Sequence, residues 1–229
     1  MGFLSKYALP VAAMTLIVVV SNVLVQFPMA GHVGSLALAD ILTWGAFTYP
    51  FAFLVNDLTN RIHGPRIARR VVFVGFACAV AASIAAPPLL YDLGLMEFAT
   101  AADRLARIAI ASGTAFLLAQ LLDIAMFNRL RRQSWWRAPA IGSLSGSVLD
   151  TLTFFTVAFA PLFAFVGPSD DFSLQGAPLL GLFAVEAPHW LSWALGDLVV
   201  KLLIAAFALV PYRVIMQAVM PYPAAPARG

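Results

Sequence analysis

The chain has 229 residues, 62% of them hydrophobic and only 11% charged, with a formal net charge of +3. Soluble domains carry about 45–50% apolar and roughly 25% charged residues, so a mean hydropathy of +0.89 excludes a water-soluble fold: a chain of this size cannot hide that much apolar surface, and lipid must cover the rest. Cys78 is the only cysteine, which excludes an intrachain disulfide and a thiolate metal site.

A bilayer core about 30 Å thick needs roughly 20 apolar residues per crossing helix. Six stretches meet that length, at about 7–27, 41–60, 67–90, 106–127, 138–159 and 190–210. The first, although preceded by Lys6, reads as a span rather than a cleaved leader because the apolar run continues to Phe27. The expected fold is therefore all-α, one integral membrane bundle of six transmembrane helices spanning residues 1–229.

The basic residues fall in the turns. Arg61, Arg66, Arg69 and Arg70 lie between the second and third spans, and Arg129, Arg131, Arg132 and Arg137 between the fourth and fifth. The first and fifth connections carry none, and the fifth holds Asp170, Asp171 and Glu186. Basic loops stay in the cytoplasm, so the chain is expected N-in and C-in, with Lys6, Arg213 and Arg228 in agreement. This charge reports topology, and no nucleic-acid partner is expected. The partners expected are the lipid bilayer and a small molecule, and a homo-oligomer is compatible with the sequence.

An ionisable residue near mid-helix costs about 2.5–3.5 kcal/mol on insertion scales, so those a bundle keeps are informative. In the last span Asp197 and Lys201 share one face at i, i+4. They form either a self-neutralising pair or part of a site. Asp150 has no charged partner at helical spacing in its own span, and Lys201, at similar depth, is a candidate. The small-residue stretch Gly142 to Ser147 before it suits close helix packing. Gln120 and Asp123 share a face of the fourth span, where Arg129 or Arg61 could neutralise the acid. Arg107 sits at that span's other end, within reach of Asp103.

Asp57 could pair with Arg61 at i, i+4, and Pro50 interrupts the same helix near Phe47 and Tyr49. Asn22 and Gln26 share a face of the first span. Trp44, Phe47 and Tyr49 are candidate stacking surfaces, whereas Trp135, Trp136, Trp190 and Trp193 fall at span ends where an interfacial belt explains them. No HExxH spacing and no GxxxxGK[ST] phosphate loop occurs, and the string Gly142 to Gly146 has Leu144 where a nucleophile elbow needs serine. No enzymatic activity, catalytic residue, metal or cofactor is expected.

The chain resembles the queuosine precursor transporters, within a wider vitamin uptake transporter group. The resemblance rests on Ser21 to Pro28, Thr43 to Phe47 with Tyr49-Pro50-Phe51 and Asp57-Leu58-Thr59, and Ala68-Arg69-Arg70. It continues through Ala106 to Ala109, Gln120 to Asp123, Phe127 to Arg131, Trp135-Trp136, Ser147 to Thr151, and Asp197 with Lys201. It implies import of 7-cyano-7-deazaguanine, with 7-aminomethyl-7-deazaguanine as a second substrate, at the bacterial inner membrane. The expected substrate-binding set is Asn22, Gln26, Phe47, Asp57, Arg107, Gln120, Asp123, Asp150, Asp197 and Lys201. A carboxylate there could accept the adjacent N–H donors of a guanine-like edge. A binding subunit that needs a separate energising module, a carrier of another purine-like heterocycle, and a non-transporting scaffold are the alternatives.

Overall fold

The computed structural model describes residues 3–34, 36–97, 101–168 and 171–219. Asp170, Arg228 and the tail from Pro221 to Gly229 lie outside the described residues, as does the side chain of Lys6. Five helices are long and apolar enough to cross a bilayer: α1 (Phe3–Leu24), α4 (Pro65–Asp92), α5 (Ala102–Leu130), α6 (Arg137–Phe159) and α8 (His189–Val219). Large apolar side chains such as Leu16, Phe73, Leu152, Leu203 and Phe207 stand exposed along them. That is the surface lipid requires and water would oppose.

The second expected span, 41–60, differs from its expectation. Residues 41–44 belong to an irregular segment in which Thr43 bridges back to Pro28. Helix begins only with the single turn α2 (Gly45–Thr48) and resumes as the short α3 (Phe51–His63). Pro50 has no N–H to donate, so the ladder between the two pieces is carried by shorter-range bonds, Ala52 N–H to Tyr49 O and Phe53 N–H to Pro50 O. Tyr49 and Pro50 keep right-handed helical dihedrals, which makes α2 and α3 one kinked helix of 45–63.

The position of α3 explains its polarity. The long helices pack in the order α1, α4, α5, α6, α8. The short α2 contacts both α8 and α1 to close the ring, and α3 touches all five long helices. Asn56, Asp57, Thr59 and Asn60 are accordingly buried in protein rather than presented to lipid. The tightest seam is between α5 and α6, where small residues let backbones approach. A Cβ on Gly146 would meet the Phe53 ring at 2.5 Å and the Ala119 carbonyl at 3.2 Å.

The connections at one end are longer and fold inward. Two small antiparallel hairpins, β1 (His32–Val33) with β2 (Leu36–Ala37) and β3 (Gly176–Pro178) with β4 (Glu186–Pro188), depart from a purely helical fold. The one-turn α7 (Asp171–Leu174) lies between them. The Leu180 N–H donates to Ser192 Oγ and Trp193 Nε1 donates to the Asp40 carbonyl, which ties both connections to α8.

Candidate functional site

A cavity of about 790 Å³ lies inside the ring at the end away from the arginine-rich turns. Its wall is formed by the C-terminal halves of α1, α4 and α6, the N-terminal halves of α5 and α8, and the two inward-folded connections. Its floor is Lys201, roughly 18 Å down α8 from His189 at 1.5 Å per residue.

Lys201 Nζ reaches Asp150 Oδ2 at 2.7 Å and Asp197 Oδ2 at 2.5 Å, with Thr151 Oγ1 at 3.4 Å. Thr151 Oγ1 in turn donates to Asp197 Oδ2 at 2.8 Å. Tyr49 donates its hydroxyl to Asp150 Oδ1 at 2.9 Å and lays its ring 5.1 Å from the ammonium. Two carboxylates around one ammonium leave a formal surplus of one negative charge. Both oxygens of Asp150 are engaged, whereas Asp197 Oδ1 has no bond among the described residues. The side chain of Asp197 is 15% exposed against 5% for Lys201 and Asp150, so the free acceptor is the one that faces the cavity.

Aromatic rings form a continuous wall above this floor. Phe154 and Phe155 meet at 5.0 Å, Phe159 contacts Trp193 at 5.3 Å, and Phe172 stacks on His189 at 4.5 Å and 19°. All six line the cavity. Opposite them are amides and hydroxyls. Asn22 is held at both ends, accepting from Ser83 Oγ at 2.6 Å and donating to the Val18 carbonyl at 2.9 Å, while the Gln26 amide is unengaged among the described residues.

Of the expected site residues, the structure brings Asn22, Gln26, Asp150, Asp197 and Lys201 to this cavity. The other five are elsewhere. Phe47 packs against the Leu42, Ala46 and Val200 cluster, and Trp44 also stays off the cavity wall. Arg107 is fully buried and donates to the carbonyls of Val157, Ala160 and Gly167 at 2.9, 2.7 and 2.8 Å. The Val157 carbonyl is left over where α6 ends before Pro161, and Ala160 and Gly167 belong to the connection beyond it, so Arg107 fastens that loop to the helix rather than pairing with Asp103. Asp57 accepts from Ser143 Oγ at 3.1 Å, while Arg61 reaches the Arg131 carbonyl at 2.7 Å. Asp123 is held by Asn56 Nδ2 at 2.7 Å rather than by an arginine, and Gln120 lies beside it. Trp193, expected in an interfacial belt, lines the cavity instead.

Tyr49, Thr151 and the aromatic wall were absent from the expected set. Tyr49 alone carried a signal, as an aromatic beside a helix-interrupting proline. Phenylalanines on α6 look the same in sequence whether they face lipid or a cavity.

A ring of lipid-facing helices around a deep, aromatic cavity with a charged floor defines a multi-pass membrane protein built to hold a small molecule. Residues 43–216 match the family described as "Putative vitamin uptake transporter". The chain is 38% identical over 200 residues, 86% of its length and 79% of the other's, to the "Queuosine precursor transporter" of Escherichia coli (strain K12). It is 33% identical over 215 residues, covering 89% and 83%, to the "Probable queuosine precursor transporter" of Haemophilus influenzae (strain ATCC 51907 / DSM 11121 / KW20 / Rd). No solved structure matches it. The chain belongs to the queuosine precursor transporter family, within the vitamin uptake transporter group, and is a multi-pass inner membrane protein.

Proposed function

We propose that this protein imports queuosine precursors, 7-cyano-7-deazaguanine and 7-aminomethyl-7-deazaguanine, through the cavity described above. The observation that carries this reading is the free carboxylate acceptor, Asp197 Oδ1, at the floor of an aromatic cavity with one surplus negative charge. A deazaguanine offers N–H donors on one edge to such an acceptor and a flat face to Phe154, Phe155 and Phe159. Because Asp197 Oδ2 is already taken by Lys201 and Thr151, the carboxylate accepts one strong bond from the ligand rather than a bidentate pair. An aminomethyl substituent, cationic at neutral pH, would also meet the surplus charge favourably. A volume of about 790 Å³ falls within the roughly 300–1,000 Å³ of small-molecule sites.

The kinked α2 and α3 pair supplies the sixth crossing in this reading. N-in and C-in topology follows from the arginine-rich turns and gives a cavity open to the outside. The test is uptake by a bacterium that cannot make the precursor and lacks its own importer, with queuosine in tRNA as readout. Expression of this chain should restore queuosine from nanomolar 7-cyano-7-deazaguanine. Asp197→Asn should lower apparent affinity by about 10- to 150-fold, the equivalent of roughly 1.5–3 kcal/mol for a charged hydrogen bond. Failure to restore queuosine with the protein in the membrane would reject the substrate.

A further inference from the structure

A second polar cluster lies beneath the cavity, toward the arginine-rich end. Asp57 on α3 and Asp123 on α5 are both buried, and so are Asn56 and Gln120. Consecutive residues of α6 bracket the two acids. Ser143 donates to Asp57 Oδ2, and the Asp123 carboxylate lies where a Cβ on Gly142 would have to sit. Asn56 Nδ2 bridges to Asp123 Oδ2 at 2.7 Å and to the Gln120 carbonyl at 3.2 Å.

The cluster is incomplete. Asp57 Oδ1, Asp123 Oδ1, Asn56 Oδ1, both amide atoms of Gln120 and Ser147 Oγ are buried with no hydrogen-bond partner among the described residues. Asn56 is already oriented by its bonds to Asp123 and Gln120, so its orphaned oxygen points within the same cluster. No lysine or arginine forms an ion pair with either acid among the described residues. Arg61, one turn along α3 from Asp57, goes to the Arg131 carbonyl and lies over the Phe127 ring. On α8, Tyr212 shares with Asp57 and Ser143 a cavity of about 10 Å³. The faces of α1 and α4 packed in this region carry the apolar Met14, Val18, Val71 and Val72.

Two carboxylates in a bundle interior, without a cation, carry two uncompensated negative charges when both are ionised. A proton bound on one of them lowers that cost, because burial disfavours the charged form of a carboxyl group. A proton also converts one surplus acceptor into a donor, which orphaned oxygens need. A metal ion suits the place poorly. The cavity beside Asp57 has room for about one water, and no group of three metal-ligating His, Cys, Asp or Glu occurs among the described residues. Building on the import reading above, we propose that Asp57 and Asp123 form a proton-binding site, and that one proton taken up there enters with each substrate molecule.

The connection to the cavity is α3 itself. It carries Asp57 in its middle and runs up through the Pro50 kink to Tyr49, which holds Asp150. Between the two clusters Phe53 and Phe116 form a dry layer, each 6.3 Å from the Tyr49 ring. Loading and unloading the lower site changes how firmly α3 binds α5 and α6, and Tyr49 passes that change to the floor. The proton binds Asp57 or Asp123 as a neutral carboxyl on the way in and leaves to the cytoplasm as substrate departs. Import of a neutral deazapurine then moves one positive charge.

The test uses purified full-length protein in liposomes containing a trapped pH dye. Adding 7-cyano-7-deazaguanine outside should acidify the interior, and an acid-outside gradient should raise accumulation about tenfold per pH unit with the potential clamped. Replacing sodium by choline should change nothing. Asp123→Asn and Asp57→Asn should abolish acidification and gradient-driven accumulation while keeping substrate exchange. Uptake without proton movement, or uptake that follows sodium, would overturn the proposal. If no deazapurine is bound or carried, the import reading fails. The proton site is then judged by infrared difference spectra of the same protein on a pH jump. A titrating carboxyl band absent from Asp123→Asn supports the site, and its absence from the wild type rejects it.

Discussion

At the scale of single residues, the cluster at the cavity floor is held by opposite charges whose removal is not symmetric. Lys201→Met would leave Asp150 and Asp197 facing each other with no cation, and breaking a buried pair in this way costs about 3–5 kcal/mol. Thermal unfolding in detergent should show a loss of that order. Adding Asp150→Asn returns the formal charge of the cluster to its original value and should recover most of the stability, though not uptake. A double variant no more stable than Lys201→Met would mean that Lys201 supports the fold by packing alone. These residues were legible in the sequence because charge in hydrocarbon is expensive and therefore conspicuous. Which carboxylate oxygen remains free was not legible, since that depends on Thr151 and Tyr49 arriving from other helices.

At the scale of elements, two features of α6 carry separate predictions. Its packing on α5 and α3 depends on Gly146, where Gly146→Ala forces a methyl against the Ala119 carbonyl of α5 and the Phe53 ring of α3 and should destabilise by about 1–3 kcal/mol. Leu144→Ala, on an exposed face of the same helix, should change stability by less than about 0.5 kcal/mol. The small-residue stretch announced that seam in sequence. At the far end of α6, Arg107→Met orphans the carbonyls of Val157 and Gly167, at about 1–3 kcal/mol for each group left buried, while the Ala160 carbonyl keeps its bond from the Phe163 N–H. Limited proteolysis should then cut 160–168 faster, while the folded fraction keeps its substrate affinity. A fall in affinity with unchanged cleavage would return Arg107 to the binding set. The sequence suggested a charged partner because arginine beside Asp103 fits helical spacing, and it could not show a loop folding back onto the side chain. The expected span at 41–60, interrupted at Pro50, becomes helix only from Gly45 for a related reason. An apolar run has the same composition whether it crosses as helix or lies against the bundle as loop, and only Pro50 marked where the helix breaks.

At the scale of the whole molecule, the bundle is open at one end and closed at the other. Tyr49, Phe53 and Phe116 seal the base of the cavity, and Phe127, Ala138, Tyr212 and Met216 pack below them. A carrier must exchange this closure for its opposite while the binding site stays in place. Ser112 lines the open cavity, and Ala205 lines only the small space beside Asp57. With Cys78 replaced by Ala, Ser112→Cys should react with a membrane-impermeant maleimide added to intact cells, whereas Ala205→Cys should not. Saturating substrate should slow the first reaction. In inverted vesicles substrate should make Ala205→Cys reactive, because the cycle then populates a state open on the cytoplasmic side. Opposite changes at the two positions are required by alternating access. If both positions react from the same side at rates substrate does not alter, the aromatic layer is not a gate and the cavity serves binding alone.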